Sequence, residues 1–202
     1  NNPTGTYLAE ADLAEFLAQV PEHVICVLDE AYYEYVAEAD YPESVPWLQQ
    51  YPNLLITRTF SKAYGLAGLR IGYGLSNPEL ADILNRVREP FNNNALALIA
   101  AETALSDTEY LQATVALNKA GMTQLTEAFT EMGLEWITSV TNFVSVDLKR
   151  DAASINSALL HKGVIVRPVA NYEMPNHLRI SIGTKAENDF FLQALKAVLA
   201  DV

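Results

Sequence analysis

Two runs of apolar, mostly β-branched residues mark the first third of the sequence, and each stops at a charged residue. Val24–Leu28 is followed by Asp29, and Leu54–Phe60 is followed by Ser61 and Lys62. Such runs predict neighbouring strands of a parallel sheet, buried on both faces. Ligands bind at the carboxyl ends of the strands in sheets of this kind. Charged residues at that place predict a functional site, because burying them without partners is costly.

The rest of the sequence alternates helical and strand patterns, which predicts an α/β fold. Apolar residues recur at helical spacing in Leu8–Val20, Glu79–Arg88, Ala95–Leu105, Tyr110–Met132, Ala153–His161 and Glu187–Leu199. Further strands are predicted at Leu69–Gly74, Asn142–Leu148, Val164–Val166 and Leu178–Ile182. The elements become shorter after the long helix that starts near Tyr110. We therefore expect two α/β units, residues 1–107 and residues 108–202.

The charge balance argues against binding of nucleic acid. Thirteen Lys and Arg residues against 25 Asp and Glu residues give a formal net charge of −12, and no basic stripe offsets it. No apolar run is long enough to cross a bilayer, and no signal peptide opens the chain. We therefore expect a cytoplasmic protein that binds neither nucleic acid nor a membrane.

Cysteine and histidine give no sign of a disulfide or a metal site. Cys26 is the single cysteine and lies within an apolar run, so it is better interpreted as a buried hydrophobe than as a catalytic thiol. His23, His161 and His177 lie far apart and lack the spacing of metal ligands. We expect no metal.

Four short motifs, spread over almost the whole chain, occur together in one enzyme family. They are Asn2–Gly5, Asp29–Tyr32, Thr59–Arg70 and the residues around Arg179. They resemble the asparagine turn, the aspartate–tyrosine motif, the lysine motif and the late substrate-binding arginine of class I/II aminotransferases. These are fold type I enzymes that use pyridoxal phosphate. The resemblance implies the C-terminal half of a cofactor-binding large domain, mostly parallel sheet with helices, followed by a small α/β C-terminal domain.

The resemblance also implies how the cofactor is held. Lys62 would bind the cofactor aldehyde covalently and would move the proton between substrate and cofactor, which makes it the catalytic residue. Asp29 would keep the pyridine nitrogen protonated. Tyr32 and Asn2 would donate hydrogen bonds to the phenolic oxygen.

The cofactor phosphate would be held by Ser61 and Arg70, because a hydroxyl and a guanidinium suit its oxygens. Each residue also has a simpler interpretation. A Ser–Lys pair after a strand is usually a solvated turn, and Asp29 could cap a helix. Tyr32 could be an ordinary core residue, and Arg70 could pair with an acidic neighbour.

Within the family, several segments resemble the histidinol-phosphate aminotransferases: Arg88–Asn92, Thr141–Phe143, Gly163–Pro168 and Asn176–Thr184. These enzymes transfer an amino group between histidinol phosphate and 2-oxoglutarate in histidine biosynthesis. Arg179 and Arg167 would bind the anionic groups of the amino donor and the 2-oxo acid acceptor. Arg167 could instead form a salt bridge. Asn93 and Tyr172–Pro175 depart from the usual pattern of these enzymes.

Other family members keep alternatives open. Aromatic amino acid aminotransferases and threonine-phosphate decarboxylases share most of these motifs. Some transcription regulators carry an aminotransferase-like domain that binds the cofactor without turnover, behind a DNA-binding domain. The family builds its active sites from two subunits, which implies a homodimer. Because the chain opens on Asn1–Gly5, which has the composition of a tight turn, and has no initiator methionine, we expect a fragment. The resemblance implies that it lacks the first half of the large domain, so we expect it to be a poor enzyme by itself.

Overall fold

The chain folds into alternating strands and helices, and the α/β fold class is confirmed. The computed structural model describes residues 1–201. Its strands are β1 (Cys26–Asp29), β2 (Leu54–Thr59), β3 (Gly72–Ser76), β4 (Glu135–Ile137), β5 (Phe143–Asp147), β6 (Arg167–Pro168) and β7 (His177–Ser181). Its α-helices are α1 (Glu10–Gln19), α2 (Pro78–Val87), α3 (Ala95–Ser106), α4 (Thr108–Glu131), α5 (Ala152–His161) and α6 (Lys185–Asp201).

The chain divides into two compact units. We name Leu8–Thr114 the lysine unit, because it contains Lys62. We name the other the arginine unit, because it contains Arg179; it comprises Asn1–Tyr7 and the residues from Val115 onward. This division falls within α4, whereas the sequence places a domain boundary after residue 107. The assignment of domains therefore stays a prediction.

In the lysine unit, three strands form one sheet in the order β1-β2-β3. β1 and β2 are parallel, with Asp29 opposite Thr57, so their carboxyl ends lie side by side. β3 pairs with β2 in the antiparallel direction and starts later than predicted, because a 3-10 helix precedes it. One core of this unit consists of Leu13, Leu17, Trp47, Leu54 and Ile56.

β1 is covered on one face only, so the expectation of a strand buried on both faces is wrong. Cys26 and Leu28 pack against the core, whereas Val27 points to the opposite face and is 56% exposed. An apolar, β-branched run predicts that a strand forms. It does not show how many of its faces the rest of the chain covers.

In the arginine unit, four strands form an antiparallel sheet in the order β4-β5-β7-β6. One face is apolar and packs against α4, α5 and α6. The core there includes Leu125, Phe129, Val144, Val146, Ile155, Leu159, Leu178, Ile180, Phe191 and Leu195. Since side chains alternate along a strand, Ser145, Arg179 and Arg167 share the other face.

The strand predicted at Val164–Val166 is wrong. Val164 is buried in the core, but Ile165 is 86% exposed, and the backbone first pairs with β7 at Arg167. The run is apolar because Val164 packs in the core, not because its residues pair with a neighbouring strand. β4 was not predicted, since three residues are too few to show a period.

Several helices begin at polar caps that the sequence supplies. The side chains of Asn77, Asn94, Asp107 and Asp151 each accept a hydrogen bond from the backbone N–H three residues later, at 2.9, 2.9, 3.0 and 3.1 Å. Such caps stabilise a helix by about 1 kcal/mol each. Pro78 follows Asn77 as the first residue of α2, where its missing N–H is not needed.

Candidate active site

A cavity of about 320 Å³ lies at the carboxyl ends of β1 and β2 in the lysine unit. It is lined by Asp29, Ala31, Thr57, Arg58, Thr59, Ser61, Lys62 and Arg70. Four residues singled out from the sequence therefore meet in one place: the carboxylate, the hydroxyl, the amine and the guanidinium of Asp29, Ser61, Lys62 and Arg70. The parallel pairing of β1 with β2 brings them together, as expected for strand ends in an α/β sheet.

Arg70 and Ser61 form one side of this cavity. Arg70 Nη1 donates to Ser61 Oγ at 3.3 Å and to the Ala67 carbonyl at 2.9 Å. The backbone of Arg70 has a φ of 54°, a left-handed conformation that is uncommon for a residue other than glycine. The turn and the Ala67 contact thus aim the guanidinium at Ser61. A guanidinium beside a hydroxyl is suited to binding phosphate oxygens.

Lys62 is held by the loop that follows β2. The carbonyl of Lys62 accepts a hydrogen bond from the N–H of Gly65 at 2.9 Å. The carbonyl of Phe60 accepts one from the N–H of Leu66, also at 2.9 Å. The Phe60 ring is buried and packs at 5.1 Å from the Tyr64 ring. Lys62 Nζ lies 5.3 Å from the centroid of the Tyr32 ring, so Tyr32 is a neighbour of the cavity.

Asp29 lies at the end of β1, where its Oδ1 accepts the N–H of Ala31 at 3.1 Å. The next residue, Glu30, points to the core face and is almost fully buried. It accepts hydrogen bonds from Ser44 Oγ at 2.5 Å and Arg58 Nε at 2.9 Å. Burial is the largest single influence and lowers the pKa of Arg58, but the hydrogen bond and charge of Glu30, together with Tyr73, outweigh it and raise the pKa.

This Glu30–Arg58–Ser44 network was not predicted from the sequence. A signal was present, because Glu30 follows Asp29 directly and must therefore point to the opposite face of the strand. A carboxylate on the core face requires a partner. The identity of that partner depends on the pairing of β1 with β2.

Tyrosines and a carboxyl group surround Tyr35. Burial raises the pKa of Tyr35 to about 12, with further contributions from Glu34, Tyr110 and Tyr32. Burial also raises the pKa of Glu34, whose Oε2 has no hydrogen-bond partner within residues 1–201. The Tyr35 phenol therefore stays protonated well above neutral pH.

The remaining predicted site residues, Asn2, Arg167 and Arg179, lie in the arginine unit. Arg179 Nη1 donates to Asn2 Oδ1 at 2.5 Å, and the guanidinium carbon lies 4.9 Å from the centroid of the Phe143 ring. Arg167 is directly opposite Arg179 across β6 and β7. Both arginines line a cavity of about 350 Å³ with Ile165, Val166 and Ser181. Two guanidiniums in one cavity make a site for an anion.

A family model matches nearly the whole chain. The model described as "Aminotransferase class I and II" matches residues 1–195. The chain belongs to the class I and II aminotransferase family. The resemblance drawn from the four motifs is thereby confirmed, and the fold of the described residues is that of an aminotransferase.

Several relatives in this family are similar over the whole chain. The chain is 61% identical over 200 residues to histidinol-phosphate aminotransferase 2 of Pseudomonas fluorescens, covering 99% of this chain and 54% of that protein. It is 58% identical over 201 residues to histidinol-phosphate aminotransferase 1 of Nitrosococcus oceani, covering 100% of this chain and 54% of that protein.

A solved structure is similar as well. The histidinol-phosphate aminotransferase of Sinorhizobium meliloti, in complex with pyridoxal-5'-phosphate, has a TM-score of 0.91 and 34% identity, covering 99% of this chain and 55% of that one. The chain spans about half the length of the relatives it matches.

Two further features concern membranes and metals. Among residues 1–201, the structure has no helix of the length and apolarity that a membrane span requires. In the same range, no three His, Cys, Asp or Glu residues are grouped as metal ligands.

Proposed function

We propose that this chain supplies the cofactor-binding and substrate-binding residues of a pyridoxal-phosphate-dependent aminotransferase. The observation that carries the proposal is the convergence of Asp29, Ser61, Lys62 and Arg70 on one cavity at two strand ends. The cofactor has an aldehyde, a ring nitrogen and a phosphate. The cavity offers an amine, a carboxylate, and a guanidinium bonded to a hydroxyl. The residues present therefore fit the cofactor.

Each side chain then has one task. When bound, the cofactor supplies a conjugated ring that takes up the electron pair left at the substrate carbon. Lys62 Nζ would bind the aldehyde and would move a proton between the substrate and the cofactor. Asp29 would hold a proton on the ring nitrogen, and Arg70 with Ser61 would bind the phosphate. Asn2 and Tyr32 donate to the phenolic oxygen, a role that rests on the family motifs.

The substrate we propose is histidinol phosphate, with 2-oxoglutarate as the acceptor of its amino group. Identities of 58% and 61% with histidinol-phosphate aminotransferases support this choice. The two arginines opposite each other, Arg167 and Arg179, supply the positive charge that a phosphate or a carboxylate requires. We further propose that the whole protein is a cytoplasmic homodimer. In it, residues 1–107 would be the C-terminal half of the cofactor-binding large domain and residues 108–202 the small C-terminal domain.

The reaction can be tested by incubating the full-length protein with pyridoxal phosphate, 2-oxoglutarate and one amino donor at a time. We expect glutamate to form much faster with histidinol phosphate than with phenylalanine or tyrosine. Arg179→Lys should raise the KM for histidinol phosphate, since lysine cannot make the two-pronged contact. Arg86→Lys on the exposed surface of α2 is the control.

Other outcomes would assign a different function. Glutamate formed only with aromatic donors would indicate an aromatic amino acid aminotransferase. Release of carbon dioxide from threonine phosphate would indicate a decarboxylase. Bound cofactor without turnover of any donor would favour a sensor domain. The 202-residue chain should be tested in parallel, because clear transamination by it would contradict our expectation that it is a poor enzyme.

A further inference from the structure

The face of the arginine-unit sheet that carries Arg179 also carries a buried hydroxyl. Ser145 on β5 is directly opposite Arg179 on β7, and Arg179 is directly opposite Arg167 on β6. Ser145 is fully buried, although it is polar. A buried hydroxyl requires a hydrogen-bond partner. The partner is the carbonyl of Pro3, 142 residues earlier in the chain, which accepts from Ser145 Oγ at 2.6 Å.

The bond to Pro3 fixes a turn at the start of the chain. Within the turn, the N–H of Gly5 donates to the Asn1 carbonyl at 2.7 Å. A second bond to the sheet region runs from the N–H of Val140 to the Gly5 carbonyl at 2.9 Å. The turn is therefore attached at Pro3 and at Gly5. The backbone of Asn2, which directly precedes Pro3, is fixed with it.

The fixed turn places the Asn2 side chain against Arg179. Asn2 Oδ1 accepts from Arg179 Nη1, while the ring of Phe143 lies beside the guanidinium. Arg179 Nε is buried and has no hydrogen-bond partner within residues 1–201. Asn2 thus determines the direction of the guanidinium.

We infer that Ser145 is a positioning residue for anion binding: it anchors Pro3, which fixes Asn2, which orients the guanidinium of Arg179. The inference rests on the proposed function, because it takes Arg179 as the group that binds the substrate anion. Ser145 lies outside the four motifs that carry the resemblance to the family. Its role follows from its burial, its register opposite Arg179 and its single long-range bond.

The test is a titration of the 202-residue chain with inorganic phosphate. Binding is monitored through the NMR resonance of the Arg179 Nε–H group. The resonance is assigned by its loss in Arg179→Lys. We expect Ser145→Ala to weaken the binding of phosphate at Arg179 about tenfold, the usual consequence of losing one well-placed hydrogen bond. Thr126→Val is the matched control, since the Thr126 hydroxyl donates to a carbonyl within α4 and should change the affinity less than twofold.

A second variant tests the path of the effect. Asn2→Ala should weaken phosphate binding by a similar factor, and Ser145→Ala should add nothing in the Asn2→Ala background. Unchanged affinity in Ser145→Ala, an equal loss in Thr126→Val, or additive losses in the double variant would overturn the inference. The titration requires neither cofactor nor turnover. Phosphate binding that depends on Ser145, together with no transaminase activity in the full-length protein, would refute the proposed function and leave the inference standing.

Discussion

Arg58 Nη2 lies 2.8 Å from Glu30 Oε2, and this ion pair joins the ends of β1 and β2. The Glu30 side chain is fully buried, and that of Arg58 is 13% exposed. Asp29 and Glu30 are consecutive and point to opposite faces of the sheet. The pair therefore ties together, from the core face, the two strand ends that position Asp29 and Lys62.

Removing one partner of this pair should destabilise the lysine unit strongly. Glu30→Gln leaves the Arg58 charge buried without a counterion, and we expect the free energy of unfolding to fall by about 3–5 kcal/mol. Urea unfolding followed by circular dichroism measures the change. Glu135→Gln is the control: its partner Lys149 is exposed, so the loss should stay below about 1 kcal/mol. Equal losses in the two variants would show that the Glu30 pair has no special structural role.

Arg70 should contribute to the affinity for the cofactor more than to stability. Arg70→Ala removes a charged hydrogen-bond donor, so we expect pyridoxal phosphate to bind about 10-fold to 100-fold more weakly. Fluorescence titration of the full-length protein gives the dissociation constant. Arg86→Ala removes an exposed arginine of α2 and should leave the dissociation constant for pyridoxal phosphate unchanged. An Arg70→Ala variant with wild-type affinity would rule Arg70 out as a phosphate ligand.

Gly5 should tolerate alanine less well than Gly163, although both have a positive φ, 83° and 79°. A Cβ at Gly5 would overlap Ser139, whereas a Cβ at Gly163 would have no atom within 4 Å. Both variants incur the backbone cost of about 1 kcal/mol, and Gly5→Ala incurs a steric cost as well. Thermal unfolding should therefore show a lower Tm for Gly5→Ala than for Gly163→Ala. A smaller decrease in Gly5→Ala would argue against the close packing of the turn.

Alkaline pH should destabilise the protein partly through Tyr35. Burial raises the pKa of the Tyr35 phenol to about 12 in the folded state, whereas in the unfolded chain the phenol ionises near its ordinary pKa of 10.0. The unfolded state therefore gains stability as the pH rises from 10 toward 12. Tyr35→Phe should lose less stability over that interval than the wild type, as measured by urea unfolding at each pH. Parallel losses would indicate that Tyr35 titrates alike in both states.

The sequence predicted the cavity because strand ends are recognisable without knowledge of tertiary structure. Apolar runs that stop at Asp29 and at Ser61–Lys62 locate the site once the strands are taken as parallel neighbours. The Glu30–Arg58 pair and the Ser145–Pro3 bond were not predicted. Both depend on strand register or on contacts between distant segments, which local patterns do not encode.

The strand errors have a related cause. Val27 is exposed because the chain covers only one face of β1. β6 begins at Arg167 because the backbone first pairs with β7 there. Hydrophobic periodicity reports the burial of side chains, and only indirectly the pairing of backbones.

The most direct test of the account is to identify the lysine that binds the cofactor. Full-length protein is mixed with pyridoxal phosphate, its visible absorption is recorded, and the adduct is reduced with borohydride and mapped by peptide mass spectrometry. We predict a visible band and a single modified peptide containing Lys62, both lost in Lys62→Ala and both kept in Lys119→Ala. A band that persists in Lys62→Ala, or a label spread over surface lysines in the wild type, would contradict the assignment of Lys62 as the catalytic residue.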